Sequence, residues 1–314
     1  MVKVAFRKSF LSRSSRARCI RRDEEGIASV IGTIMALLIF MTFMTMFVNT
    51  YIPIWMKENE RLHMNDVQDQ MGEIKGKIDN LIVGAEITGT STINTYQTLT
   101  MGADGIPIFA SPTAGAVILK PTGVSGSGVN VQFNYTVNNQ KVPVNENGGG
   151  KLEFYAPNRY YVEQWLAYEN GGLIVKQDQG EAMKAMPSFG LTKSGNNVNV
   201  DFTQIDIVGT NSTMAGTGVA GVNIDLIYLD AQKYTPHFGT GADQNTSVFK
   251  FTTVYGVSFM NFMNSTIKNA NLQPSDYKLT KTINTDKSNT ITLKIVNTGS
   301  LTLNRAFVKV DIGV

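Results

Sequence analysis

Few residues in this 314-residue chain are of a type and spacing that could do chemistry. The single cysteine, Cys19, lies in a basic N-terminal stretch, so the chain beyond it has neither a thiol nucleophile nor a disulfide. His63 and His237 are distant in sequence and have no cysteine near them, which gives no zinc constellation. No G-x-S-x-G nucleophile elbow occurs. Gly216, Gly218 and Gly221 spell a formal G-x-G-x-x-G. A dinucleotide site needs that motif after a strand and opening a helix, whereas here it leads into a strand expected at 222–229, so it reads as a loop. Asp201, Asp206, Asp225 and Asp230 fall in strand-like segments and could join a calcium site, but no loop has EF-hand spacing. Carboxylates at exposed strand ends are the plainer account. These patterns point to no catalytic residue, no metal ligand and no cofactor.

One kind of surface chemistry is better supported. N-x-[ST] sequons occur at Asn134, Asn211, Asn245 and Asn264. Such sequons arise by chance in Asn- and Thr-rich sequence, and become glycan acceptors only on a body that lies outside the cell.

Where that body lies is decided by the N-terminus. Residues 26–55, GIASVIGTIMALLIFMTFMTMFVNTYIPIW, form a 30-residue run without a charged side chain. About 20 apolar residues cross the hydrocarbon core of a bilayer, so the run is long enough. In lipid its backbone groups must pair internally, which requires a helix. Residues 1–26 hold eight basic residues (Lys3, Arg7, Lys8, Arg13, Arg16, Arg18, Arg21 and Arg22) against Asp23, Glu24 and Glu25. An excess of Lys and Arg stays cytoplasmic, which puts the C-terminal body outside. Taking those 8 and 3 from 28 basic and 25 acidic residues leaves 20 and 22, a balance of about −2. The basic character belongs to the leader, and the body offers nucleic acid no electrostatic footprint. An ordinary secretory signal does not fit, because its apolar stretch is about 7–15 residues and ends in a small-residue cleavage site.

The stretch Arg21-Arg22-Asp23-Glu24-Glu25-Gly26-Ile27-Ala28-Ser29-Val30-Ile31-Gly32-Thr33 resembles the class III signal of type IV pilins and archaellins. Ser-Val-Ile-Gly-Thr is similar to the archaeal branch. The resemblance covers roughly residues 18–55. It implies that a prepilin peptidase cuts between Gly26 and Ile27, on the cytoplasmic side, and that the helix is kept and handed to a pilus assembly machinery. Two departures stand out: acidic residues separate the Arg pair from Gly26, and residue 31 is Ile where bacterial pilins carry Glu.

Beyond the run, Met64, Val67, Met71, Ile74, Ile78 and Leu81 recur at spacings of 3 and 4, a helical stripe. The stripe packs either on the molecule's own β domain or on neighbouring subunits. Gly72 and Gly76 each cost up to ~1 kcal/mol in a helix interior. Pro53 removes one helical hydrogen bond and should bend the helix.

Residues 85–314 read as strands separated by turn chemistry. Candidate strands are 93–100, 116–120, 129–137, 151–155, 173–177, 198–208, 222–229, 248–255, 277–283, 290–296 and 305–312, with breakers at 123–128, 145–150, 194–197, 239–245 and 297–300. Residues 257–269 are the one candidate second helix. The aromatics Phe154, Tyr155, Tyr160, Tyr161, Trp165 and Tyr168 are either a surface platform or sandwich core.

The expected fold class is α+β: a long N-terminal transmembrane and stalk helix, then a mostly antiparallel extracellular β-sandwich. The expected segments are a cytoplasmic leader at 1–26, a transmembrane helix at 27–55, a helical stalk at 56–84 and a β-rich domain at 85–314, with a candidate subdivision near 180–197. The expected function is that of a non-enzymatic, type IV pilin-like cell-surface protein, a filament subunit or minor pilin. Its partners would be membrane lipid and other pilin subunits. Gly32, Thr33 and Ala36 would let helices approach closely, and Val67, Met71 and Ile74 are candidates for the same packing. The alternatives are a permanently anchored structural or binding protein that never polymerises, and an anchored extracellular hydrolase.

Overall fold

A computed structural model describes residues 14–89, 94–137, 140–234 and 246–313. The chain is α+β, with one long N-terminal helix followed by a β-rich body, and it divides into two units, Met1–Trp55 and Met56–Val314. Helix α1 runs Ser14–Thr88, and Pro53 lies inside it without ending it. The first unit contains the apolar run; the second contains the rest of α1 and every strand.

The sixteen strands described form three sheets rather than two. The first has the order β1 (Asn94–Thr100), β12 (Val219–Tyr234), β16 (Thr298–Gly313), β10 (Asn197–Val208), β9 (Phe189–Ser194). The second runs β11 (Ser212–Gly216), β2 (Gly115–Lys120), β5 (Lys151–Ala156), β6 (Gln164–Glu169), β7 (Gly172–Gln177), β8 (Gly180–Ala185). The third runs β14 (Tyr277–Ile283), β15 (Asn289–Ile295), β13 (Ser247–Thr253), β3 (Ser127–Val137), β4 (Gln140–Gly148). Pairing is antiparallel throughout except between β10 and β16. Helix α2 is Gly256–Asn269, as the sequence pattern predicts.

Two cores result. One gathers Val67, Met71, Ile74 and Ile78 of α1 with Leu99, Val117, Leu152, Phe154, Ile205, Val222 and Val308. The other gathers Phe189, Phe202, Phe249, Phe251, Phe259 and Leu293 around α2 and the third sheet. Strands β10 and β16 serve both, since Val198, Val200, Phe202, Leu301 and Leu303 face the second core while Ile205, Ile207, Ala306, Val308 and Val310 face the first. These long strands make 56–314 a single unit, and no division falls near 180–197.

The stalk expected at 56–84 is thus not free-standing. Its stripe lengthens to Met56, Glu60, Met64, Val67, Met71, Ile74, Ile78, Leu81, Ile82 and Ala85, all buried. The helix also covers the free edge of the first sheet, where β1 has a strand neighbour on one side only. His63 Nε2 lies 2.9 Å from Thr100 O, Gln70 Oε1 accepts the Thr100 N–H at 2.9 Å, and Lys77 Nζ donates to Tyr96 O at 2.7 Å. These residues recur every seven positions, two helical turns, so one polar seam runs beside the apolar stripe. An uncovered edge would be a template for strand addition.

Five strands go beyond the sequence-based expectation: β4, β6, β8, β9 and β11. Four of them are sheet edges, where polar, weakly alternating sequence is tolerated because one flank faces water. Residues 145–148, read as a breaker, belong to edge strand β4, and Asn130 Nδ2 on β3 donates to Asn145 and Asn147 Oδ1 at 2.6 and 2.7 Å. The fifth, β6, is central and buried on both faces, so it has no alternation to read.

Candidate functional site

The most unusual surface is on α1 before Met56. From Gly26 to Tyr51 its apolar side chains stand exposed or part-exposed on every face, with Ile34 52% exposed, Ile39 68% and Phe43 65%, and Ile52 is the first to be buried, at 3%. Residues 34–48 include nothing more polar than threonine, and an 18-residue window here has a mean hydropathy of 2.3 with none of it buried. By length and composition the segment can cross a membrane. A helix apolar all round must be covered by lipid or protein, because no monomer in water tolerates it. Three of its hydroxyls are satisfied within the helix, with Thr33, Thr42 and Thr45 Oγ1 donating to the carbonyls of Val30, Leu38 and Met41 at 2.8 Å each. Thr back-bonding of this kind lets a helix enter an apolar phase without orphan donors. Phe47, Tyr51 and Trp55 stack along the far end, with ring centroids 5.5 Å apart for the first two and 6.5 Å for the last two. Gly26 and Ile27, the expected processing site, are exposed, as are Gly32, Thr33 and Ala36. A Cβ at Gly32 would meet nothing within 4 Å, so the gap is open to an outside partner.

The remaining predicted positions scatter. Val67, Met71 and Ile74 are buried at 0%, 0% and 1% exposure; of the two alternatives for the stripe, it packs on the chain's own β body. Asn134, Asn211 and Asn264 are exposed, and Asn245 lies outside the described residues, as does His237. His63 is a core residue edge-on to Phe154, with ring centroids 5.8 Å apart, and burial lowers its pKa. The four aspartates do not converge, and among the described residues no group of three or more His, Cys, Asp or Glu could hold a metal ion. Gly216 ends β11, Gly218 lies in the two-residue turn and Gly221 is inside β12, so the motif is strand–turn–strand rather than the loop expected, and it opens no helix. Of the aromatics, Phe154 and Tyr168 are core, while Tyr155 and Trp165 stack at 4.2 Å on a part-exposed face.

Two features escaped sequence reasoning. The first is a buried polar cluster on the second sheet. Lys151 Nζ lies 2.7 Å from Glu153 Oε1, to which the Tyr255 hydroxyl donates at 2.5 Å, and Thr253 Oγ1 donates to Glu169 Oε2 at 2.6 Å. Lys151 is also the cross-strand neighbour of Glu169. Burial pushes Glu169 up to about 7, with the Lys151 charge opposing it. Burial likewise works against ionised Glu153, but Lys151, the Tyr255 hydroxyl and Lys120 hold it below the usual carboxylate range. One buried cation thus keeps one of two carboxylates ionised. A Lys beside two Glu and a Tyr whose pKa values are shifted resembles acid–base machinery, yet all four are 3% exposed or less. No substrate atom reaches them unless the fold opens. The second is Glu60, fully buried on the apolar face of α1. Burial disfavours its charge, but hydrogen bonds from Thr113, Arg159, Tyr161 and Tyr160 hold its pKa below the ordinary value. A carboxylate in register with an apolar stripe, four residues before Met64, is the signal that could have found it.

Comparisons with protein families, with curated proteins and with solved structures found no match for this chain.

Proposed function

We propose that this chain is a type IV pilin-like cell-surface protein of the archaeal kind, a filament subunit or minor pilin, inserted by residues 27–55 with its β body outside the cell. The observation that carries the reading is the change of environment along one helix. From Gly26 to Tyr51 no apolar side chain is buried; from Met56 onward the apolar stripe is locked into the body. In the membrane, lipid solvates the exposed half; in a filament, the same surface is buried against identical helices. Gly32, Thr33 and Ala36 are where backbones could approach most closely, and Asn211, in the turn before β11, is the best-placed glycan acceptor. In α2, the Thr266 hydroxyl of the Asn264 sequon is already bonded to Phe262 O at 3.0 Å, which makes that site the poorer one.

A permanently anchored protein that never polymerises is favoured by a different observation: the 64–81 stripe is consumed in the core, leaving residues 27–55 as the only long apolar helix surface for self-association among the described residues. The test has two parts. Mass spectrometry of the mature protein should find Ile27 at the N-terminus, and a chain starting at Met1 or beyond Trp55 would overturn the processing assignment. Sheared surface material should contain the protein in filaments; its presence in membranes alone selects the anchored monomer.

A further inference from the structure

Among the described residues the three sheets have six edges, and they are guarded unequally. β1 lies against α1 through Gln70 and Lys77, α2 packs on β8, β4 contains Pro143, and β9 and β11 contain Gly190 and Gly216. Proline and glycine weaken a strand as a pairing partner. β14 has β15 as its one strand neighbour and contains neither. Its guards are two exposed lysines, Lys278 and Lys281.

The β14–β15 hairpin shows which backbone groups that edge leaves free. The Asn284 N–H donates to Ser288 O at 2.8 Å and the Val296 N–H to Asp276 O at 2.9 Å. These bonds bracket a ladder that pairs Tyr277 with Ile295 and Ile283 with Asn289. Hydrogen-bonded and non-hydrogen-bonded pairs alternate along an antiparallel ladder. Lys278, Thr280 and Thr282 therefore bond to β15, while Tyr277, Leu279, Lys281 and Ile283 turn their N–H and C=O groups outward. Among the described residues those outward groups have no partner. At the end of the strand Ile283 is 74% exposed.

We propose that β14 is a self-association edge, pairing antiparallel with β14 of a second copy about a twofold axis at Thr280. The strand is complementary to itself in that register. Tyr277 of each copy lies opposite Ile283 of the other, and Leu279 opposite Lys281, so the outward groups meet one another and each pair exchanges both backbone bonds. Ile283 gains an aromatic cross-strand neighbour, and the Lys281 stem covers Leu279. On the other face Thr280 meets Thr280 and Lys278 meets Thr282. Edge lysines deter pairing where like charges are opposed, and here none are. An axis between two residues sets free groups opposite bonded ones. Moving the axis to Lys281 sets that lysine opposite itself, and moving it to Leu279 leaves Ile283 opposite no strand residue. The contact involves the β body alone and goes beyond the role of residues 27–55, whether or not they assemble. Two seven-residue strands make less than a standard interface of about 1,600 Å², so the contact is weak and a covalent trap is the way to read it.

The test uses the full chain in detergent with Cys19→Ser, carrying Thr280→Cys or Thr282→Cys, mildly oxidised and run on non-reducing gels. Both positions are exposed, so near-UV circular dichroism should match the parent. Across the axis the two 280 positions form a non-hydrogen-bonded pair with Cα atoms about 4.5 Å apart, within reach of a disulfide. The two 282 positions are offset by four residues, about 13 Å along the sheet, too far for one. Thr280→Cys should give a disulfide-linked dimer and Thr282→Cys should not. Adding Ile283→Lys to Thr280→Cys should lower the linked yield severalfold. Linking at neither position overturns the proposal, and equal linking at both marks random collision and overturns it too. A yield untouched by Ile283→Lys overturns this register.

Discussion

Arg305 donates its Nε–H to the buried carboxylate of Asp206 at 2.6 Å, across the parallel β10–β16 pair. The other carboxylate oxygen accepts the Gly149 N–H and Gln204 Nε2, both at 2.9 Å. The rest of the guanidinium reaches Glu146 and the Asn147 carbonyl at the end of β4, which ties the first sheet to the third. Gly148 makes this possible, since a Cβ there would lie 1.6 Å from Asp206 Oδ1.

This pair should be among the most sensitive in the body. Arg305→Ala leaves a buried carboxylate without its cation, which costs about 3–5 kcal/mol. Asp206→Asn keeps the shape and loses the charge-assisted bonds, at about 1.5–3 kcal/mol. Thermal unfolding of the detergent-solubilised chain, followed by near-UV circular dichroism, should rank wild type above Asp206→Asn above Arg305→Ala. Equal melting for all three would remove the pair from the account of stability.

Glu169 should make the fold less stable as pH rises. Its folded pKa of about 7 lies above the ordinary carboxyl value of 4.5, so the native state holds a proton that the unfolded chain releases between those values. That contribution is complete below about pH 4.5 and is lost on the way to pH 7, roughly 3 kcal/mol in all. Glu153 acts in the opposite sense and in a separate window, because its folded pKa is lowered: its stabilisation is lost as pH falls below the ordinary carboxyl value. Melting measured from pH 5 to 8 should therefore decline in wild type relative to Glu169→Gln, and parallel curves would contradict the shift.

The α1 stripe is expected to behave as core. Met71→Asp places a charge at a wholly buried position among strands of two sheets. It should unfold the body outright, a loss above about 4 kcal/mol, and Met71→Ala should cost about 2–5 kcal/mol. A chain with Met71→Asp that keeps native near-UV dichroism and fails only in assembly would restore the intersubunit role.

Gly32→Leu tests the other half of the helix. Leucine is at least as apolar, so insertion into the membrane should be unchanged. A Cβ at this position meets nothing within 4 Å, so stability of the body should not move. If filaments form through close approach at Gly32, their yield in sheared material should fall sharply while membrane-bound protein stays at the wild-type level. Undiminished filaments would place the helix contact elsewhere.

What could be read from the sequence alone was local and periodic. The charge-free run is a continuous signal over 30 residues, the 64–81 stripe repeats at helical spacing, and eleven strands announce themselves by alternation or by bounding turns. The α+β class follows from these. Tertiary structure decided what each periodic face touches. A stripe at a 3.6-residue period states that a helix is covered on one side and says nothing of what covers it; only the packing of Val67, Met71 and Ile74 on Leu99, Val117 and Val222 identifies the chain's own sheets. The buried Lys151–Glu153–Tyr255 cluster was illegible for a related reason. Charges alternating with Leu152 and Phe154 look like the wet face of a strand, until a third sheet and α2 seal that face from water. Edge strands such as β8 and β11 have weak patterns because one flank is solvated, and their pairing is dictated by the neighbour each one meets. Local periodicity is a property of contiguous residues, whereas burial of a charge depends on segments about a hundred positions away, as Glu153 and Tyr255 are.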